Sequence, residues 1–139
     1  MNRKQVFIVL LSLLFCTWAF ANDRKALQQA AQEQGFFFFY SASCPHCQRF
    51  APILKQFSES YGFKVLAISM DGGYLPSFPE AVMDEGQKNQ FHVSVLPSLF
   101  LVSPKTEQAT LVTEGAIEAD ELLRRIGKIL HLQATRGVR

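Results

Sequence analysis

Cysteine, histidine and net charge are all scarce in this 139-residue sequence, and each scarcity excludes a class of protein. The chain has 3 Cys and 3 His. A structural zinc site takes four ligands, and His46, His92 and His131 lack the spacing of a second ligand pair beside Cys44 and Cys47. No metal site is therefore predicted. The formal net charge is only +2, so nucleic-acid binding, which usually requires a basic excess, gains no support.

Long apolar runs are also missing, except at the N-terminus. Arg3 and Lys4 precede an apolar stretch at residues 6–15, and Ala19-Phe20-Ala21 has the small-x-small pattern of a signal-peptidase site. We predict a signal peptide at residues 1–21, with cleavage after Ala21. The protein would then be exported and would have no stable membrane association.

Two other fates for the N-terminal segment are weaker. An uncleaved anchor is disfavoured because the apolar stretch is shorter than the roughly 20 residues that span a bilayer. A lipid anchor on Cys16 is disfavoured because bulky Phe15 precedes it. Cleavage would leave Cys44 and Cys47 as the only cysteines, with twelve basic and twelve acidic residues, in an oxidising compartment.

The remaining sequence predicts one α/β domain at residues 22–130, followed by a loose basic tail at residues 131–139. Apolar periodicity and Gly or Pro breaks predict helices at residues 24–34, 45–61, 80–90 and 118–130, with a possible break of the third helix near Gly86. They predict strands at residues 36–40, 63–70, 98–102 and 109–113. The first β-α-β unit needs a parallel crossover and the last two strands form a hairpin, so we expect a mixed sheet of about four strands flanked by helices.

The pair Cys44 and Cys47, in the motif CPHC, falls where a buried strand leads into a helix. A helix N-terminus stabilises an anion, so a Cys44 thiolate is favoured there. Cys47 lies one turn deeper, where it can resolve a mixed disulfide. Pro45 suits the first helical turn, and a protonated His46 would stabilise the thiolate further. The alternative, an inert disulfide, would close a loop too short to add much stability.

These features together resemble the thioredoxin superfamily. The similarity consists of the strand FFFFY, the CPHC motif, Pro52 within the following helix, and Leu96-Pro97 before a later strand. The resemblance implies a thioredoxin-like fold in which Pro97 is a cis-proline beside the active-site sulfurs and, with Leu96, contacts substrate. Two positions depart from the pattern: Phe38 replaces a buried acid and Ser43 replaces a tryptophan.

A narrower resemblance is to the TraF/TrbB group of conjugative pilus assembly proteins, which are exported components of type IV secretion. It is carried by CPHCQRFAPILKQF, YGFKVLAISMDGG, LPSFPEAV and VSVLPSLFLV. It implies a periplasmic thiol-disulfide isomerase that acts on disulfide-containing secretion or pilus assembly proteins and depends on an unidentified redox partner. No cofactor beyond the Cys44–Cys47 disulfide is implied, and no dimerisation segment is evident, which favours a monomer.

Two other functions remain open from the sequence. One is a strongly oxidising, DsbA-like dithiol oxidase. The other is an assembly or chaperone subunit that binds secretion proteins without covalent exchange. Tyr74 and Phe78, in a Gly- and Pro-rich loop, are candidate exposed aromatics for binding clients, although they could instead cover an edge of the sheet.

Overall fold

The computed structural model describes residues 2–137, except for the side chains of residues 11–21. The side chain of Cys16 and the predicted cleavage motif thus lie outside the described part. The elements are α1 (Arg3–Glu33), β1 (Gly35–Tyr40), α2 (Pro45–Tyr61), β2 (Lys64–Ser69), β3 (Val82–Met83), α3 (Gln87–Gln90), β4 (Ser98–Ser103), β5 (Gln108–Glu114) and α4 (Ala119–Gly137).

These elements form a thioredoxin-like fold around one mixed sheet with the strand order β3-β2-β1-β4-β5. Strands β1, β2 and β3 run parallel, whereas β4 is antiparallel to β1 and to β5. The sheet has five strands where about four were expected. The predicted helix over residues 80–90 is wrong: Val82–Met83 pairs with the end of β2, and only Gln87–Gln90 is helical. Gly86, at φ +115°, separates the two.

The central strand β1 is buried on both faces, as its unbroken aromatic run predicts. Because successive side chains point to opposite faces of a sheet, Phe36, Phe38 and Tyr40 join the main core, which includes residues of all three long helices. Phe39 is fully buried on the other face, where its ring lies 5.6 Å from the ring of Phe91. The strand is therefore anchored on two sides at the point where it delivers the chain into α2.

Helix α2 has the predicted limits, and Gly62 ends it. Gly62 adopts the left-handed conformation at φ 85°, and its N–H donates to the Ser58 carbonyl. This is a common way for a helix to end, because glycine adopts positive φ with little strain.

The two terminal helices are longer than predicted. Helix α1 begins at Arg3, well before the predicted start at residue 24, and runs to Glu33 through a stretch with no Gly or Pro to interrupt it. The side chains of residues 2–10 are exposed, and among the described side chains of α1 the first that is buried in the core is Leu27. Likewise, α4 continues past Leu130 to Gly137, so the segment expected to be a loose tail is helical over its described part. In the described residues, no helix is both long enough and apolar enough to cross a membrane.

Candidate active site

The ends of β1, β2 and β3 and the start of β4 lie at one edge of the sheet, and both cysteines lie there. The strand register pairs Tyr40 with Ser69, Ser69 with Met83, and Phe39 with Ser98. Three parallel strands thus end at this edge, and the antiparallel strand β4 begins there. The chain leaves β1 towards Cys44 and enters β4 from Pro97, so the topology brings these two sequence-distant segments to the same edge.

Cys44 is the N-cap residue of α2, with extended backbone angles of φ −83° and ψ 118°. Pro45 occupies the first turn, where its missing N–H costs no helical hydrogen bond. Cys47 lies within that first turn. Both residues are free thiols, but Cys44 is partly exposed whereas Cys47 is fully buried. One sulfur can therefore meet a partner protein, and the other can be reached only from within the site.

The environment of Cys44 favours its thiolate. Burial by itself raises the pKa of the thiol, but hydrogen bonds from the Cys47 backbone N–H, the Cys47 thiol and the His46 backbone N–H outweigh burial, so that the pKa is lowered. The two backbone donors among them, the N–H groups of His46 and Cys47, are otherwise unpaired groups of a helix N-terminus. The expected thiolate stabilisation thus has a structural source in the backbone of α2.

Cys47 is shifted in the opposite direction. Burial raises the pKa of its thiol to about 12, and the neighbouring Cys44 and Asp71 add to the increase. Phe38, where related folds were expected to carry an acid, is fully buried and packs its ring against Tyr40, Phe50 and Phe78. The Cys47 proton is therefore retained at neutral pH, and residue 38 is no acceptor for it.

His46 contributes to the site through its backbone. Its side chain is exposed, and its Nδ1 lies 3.4 Å from Nη2 of Arg49. A guanidinium can only donate, so a hydrogen bond between these two groups would use Nδ1 as the acceptor. That a protonated His46 imidazole stabilises the Cys44 thiolate stays a prediction.

Leu96 and Pro97 lie directly before β4. The Leu96–Pro97 peptide bond is cis, as predicted. Pro97 is buried, its carbonyl accepts the Gly115 N–H at 2.7 Å, and the Ser98 hydroxyl donates to the carbonyl of exposed Val95 at 2.7 Å. Leu96 is half-buried and packs against both core clusters. The loop is thus fixed at the sheet edge that carries the cysteines.

The two candidate aromatics differ in their surroundings. Tyr74 is 70% exposed, whereas Phe78 is 7% exposed. The expectation that Phe78 presents its ring to clients is therefore wrong, because that ring packs on Phe38 and beneath the Lys55 ammonium. Of these two aromatic residues, only Tyr74 is exposed enough to contact another protein.

Asp71 was not singled out from the sequence, yet it contacts the turn that leads to Cys44. It follows β2, and its carboxylate accepts hydrogen bonds from residues 41–43, including the Ser41 hydroxyl at 2.7 Å and the Ala42 N–H at 3.1 Å. A polar residue immediately after a parallel strand could have signalled this, since ligand sites of open α/β sheets lie at such strand ends.

Within the described residues, no three His, Cys, Asp or Glu side chains gather to hold a metal ion.

Comparison with solved structures supports the thioredoxin-like fold. A Chlorobium tepidum protein assigned as thiol:disulfide interchange protein DsbE superposes with a TM-score of 0.58 at 21% identity, covering 75% of this chain and 84% of that one. A secreted disulfide oxidoreductase of Mycobacterium tuberculosis superposes with a TM-score of 0.55 at 18% identity, covering 69% and 81%. At these identities the similarity shows the fold and not the reaction.

Sequence comparison shows the family. Protein TraF of Escherichia coli K12 is 30% identical over 105 residues, which make up 76% of this chain and 42% of that protein. Protein TrbB of the same organism is 32% identical over 98 residues, 68% of this chain and 54% of that protein. The chain thus spans about half the length of these relatives. The family described as TraF, F plasmid transfer operon protein, matches residues 14–127, so the chain belongs to the TraF family.

Proposed function

We propose that this protein is an exported thiol-disulfide oxidoreductase of the isomerase type, with Cys44 as the attacking thiol and Cys47 as the resolving thiol. The observation that carries the proposal is the asymmetry of the pair. Cys44 is accessible and has a lowered pKa, whereas Cys47 is buried and has a raised pKa. An attacking thiol must be ionised and reachable, and a resolving thiol must stay protonated until a mixed disulfide forms.

The exchange reaction follows from this assignment. The Cys44 thiolate attacks one sulfur of a client disulfide; a Cys44–client bond forms, the client S–S bond breaks, and the other client sulfur leaves as a thiolate. In isomerisation, a different client thiolate attacks the client sulfur of the mixed disulfide; a new client disulfide forms, the Cys44–client bond breaks, and Cys44 leaves as a thiolate with no net oxidation. If rearrangement stalls, Cys47 loses its proton and attacks Cys44, which yields the Cys44–Cys47 disulfide and a reduced client. A dithiol protein, the expected redox partner, must then supply two electrons.

The proposed clients are disulfide-containing proteins of a conjugative transfer or type IV secretion apparatus. The support is membership of the TraF family together with the signal-like sequence at residues 1–21, which would deliver a monomeric domain to the periplasm. The Leu96–Pro97 loop and Tyr74 lie on the cysteine side of the sheet and are the proposed client contacts. No metal or other cofactor enters the reaction.

One observation favours a second candidate, a DsbA-like oxidase. Stabilising the Cys44 thiolate stabilises the reduced form, which makes the disulfide a stronger oxidant. The reduction potential, measured by equilibration in glutathione buffers, separates the two functions. A value near about −120 mV would indicate an oxidase, whereas about −180 mV or lower would leave the reduced Cys44 that an isomerase needs.

The direct test is reactivation of a scrambled-disulfide substrate such as scrambled ribonuclease. We expect the reduced wild-type chain to restore native disulfides catalytically, and the Cys44→Ser variant to be inactive. Equal activity of the two chains would contradict the proposal. In that case, an unchanged level of conjugation in cells carrying a Cys44→Ser, Cys47→Ser protein would identify a non-covalent assembly role.

A further inference from the structure

We propose that Asp71 is a positioning residue for Cys44, acting through the turn formed by residues 41–43, which we call the active-site turn. The inference deepens the proposed function and rests on Cys44 as its attacking thiol. It is carried by the hydrogen bonds between the Asp71 carboxylate and this turn. Asp71 does not touch the Cys44 sulfur in this arrangement; it determines where the backbone around that sulfur is held.

The two carboxylate oxygens bind different groups. Oδ2 accepts the Ser41 hydroxyl at 2.7 Å and the Ser43 N–H at 3.2 Å, with the Ser43 hydroxyl more distant at 3.4 Å. Oδ1 accepts the Ala42 N–H of the same turn at 3.1 Å. It also accepts two donors close to Asp71 in sequence, the Ser69 hydroxyl at 3.2 Å and the Gly73 N–H at 3.1 Å. One side chain therefore joins the turn after β1 to the loop after β2.

The active-site turn leads directly to the attacking thiol. The Cys44 N–H donates to the Ser41 carbonyl at 3.2 Å, and Gln48 in the first turns of α2 donates from Nε2 to the Ala42 carbonyl at 2.8 Å. Displacing the turn would move Cys44 relative to the His46 and Cys47 N–H groups that stabilise its thiolate. Ser43 is small and exposed, so no bulky side chain at that position packs the turn in place.

The charge of Asp71 is consistent with a role in positioning the turn and not with a role as the proton acceptor for Cys47. Hydrogen bonds from Ser41 and Ala42 hold the pKa of its carboxyl well below the usual range, so Asp71 is ionised wherever the thiols titrate. A carboxylate held in this way is a poor proton acceptor for Cys47. Its negative charge instead contributes to the raised pKa of Cys47. The buried Tyr40 also holds the loop after β2 in place, because its hydroxyl donates to the Gly73 carbonyl at 2.9 Å.

The test compares Asp71→Ala, Asp71→Asn and a matched control, Asp84→Asn, in the full chain. Asp84 lies just after β3 at the same sheet edge. Its N–H donates to the Ser69 carbonyl and its Oδ1 accepts the Lys88 N–H, without contact to the active-site turn. Asp84→Asn therefore makes the same charge change nearby. The readout is the rate of Cys44 alkylation by iodoacetamide across pH, resolved by mass spectrometry of the Cys44 peptide.

We expect Asp71→Ala to slow Cys44 alkylation at neutral pH by about tenfold, the fall in thiolate fraction that a shift of about one pKa unit produces. Asp71→Asn keeps an acceptor for the Ala42 and Gly73 N–H groups but loses the acceptor for the Ser43 N–H, so an intermediate rate is expected. Asp84→Asn should stay within about twofold of wild type, because the hydrogen bonds of Asp84 go to Ser69 and Lys88 and not to the active-site turn. A role confined to stability would lower the unfolding midpoint without moving the alkylation profile.

Two results would overturn the inference: an Asp71→Ala profile equal to wild type, or an equal loss in Asp84→Asn. If Asp71→Ala does not fold, the double variant Ser41→Ala, Ser43→Ala removes the two hydroxyls of the active-site turn that donate to the Asp71 carboxylate. This variant should also slow the alkylation of Cys44. Failure of the proposed function gives a different result. Wild-type Cys44 would then titrate like an ordinary thiol and show no disulfide exchange, whatever residue stands at position 71.

Discussion

The ring of Phe38 lies 5.5 Å from the ring of Phe78, and both side chains are buried. This contact explains two departures from expectation at once. Phe38 stands where a buried acid was expected, and Phe78 was a candidate for an exposed aromatic. Both rings instead pack in the main core, near the end of β1 that leads to Cys44. This part of the core is therefore apolar, and residue 38 cannot accept the proton of Cys47.

Phe38→Ala should destabilise the protein strongly. Removing a fully buried phenyl ring leaves a cavity, and such changes cost about 3–5 kcal/mol of unfolding free energy. Urea unfolding measures the loss. Phe38→Leu should cost less, and Phe37→Ala, the same change at a half-buried neighbour on the other sheet face, provides a matched control. A loss equal to that of Phe37→Ala would show that the core around Phe38 is not closely packed.

The alkylation of Cys44 should depend on pH in a way that Cys47 does not share. Because the pKa of Cys44 is lowered, its rate should reach half its plateau at a lower pH than the rate of an ordinary thiol does. The rate falls as pH drops through the folded pKa, because the thiol is unreactive. Cys47, with a pKa of about 12 and no exposure, should remain unmodified at neutral pH. Equal modification of both cysteines would contradict the assigned roles.

Replacing the resolving thiol should trap the intermediate. In Cys47→Ser, a mixed disulfide between Cys44 and a client should persist, because the buried thiol that completes reduction is gone. Cys44→Ser should form no such adduct, because the remaining Cys47 thiol is buried and protonated. Non-reducing electrophoresis with a disulfide-containing client, followed by peptide mass spectrometry, detects the adduct. Its appearance in Cys44→Ser would reverse the two assignments.

Gly73→Ala should disturb the active-site turn from the other side. A Cβ at Gly73 would lie 2.6 Å from the Ala42 Cβ, so the two loops would have to separate, at a cost of about 1–3 kcal/mol for overpacking. We also expect slower alkylation of Cys44. Gly127→Ala, in a helix interior where an added Cβ meets nothing within 4 Å, is the control. It should be neutral or stabilising by up to about 1 kcal/mol.

Tyr74→Ala separates client binding from thiol chemistry. Tyr74 is 70% exposed, so its loss should change the unfolding free energy by no more than about 0.5 kcal/mol. Exchange with a protein client should weaken, whereas exchange with oxidised glutathione should not change, because a small disulfide needs no contact at Tyr74. Leu132→Ala, which removes a 47% exposed side chain in α4, should affect neither reaction. An equal loss with both substrates would place Tyr74 in the thiol chemistry instead.

The sequence alone determined the central elements of the fold. The resemblance to the thioredoxin superfamily implied the Leu96–Pro97 cis bond. A run of five aromatic residues followed by Cys44-Pro45 predicted a two-sided buried strand and the start of α2. These features are local: side-chain alternation, helix periodicity and the special geometry of Pro and Gly act over a few residues. The same local signals predicted the helix end at Gly62.

Only the tertiary structure decided the partners of these elements. Val82–Met83 became a strand because the end of β2 offers an unpaired edge, against the local pattern that predicted a helix. Phe78 became buried because Phe38 and Lys55 lie over it, and Asp71 came beside residues 41–43 because parallel strands end at one edge of the sheet. These outcomes depend on contacts between residues 14 to 40 positions apart. Sequence periodicity cannot encode such contacts, because it records only which face of its own element a residue occupies.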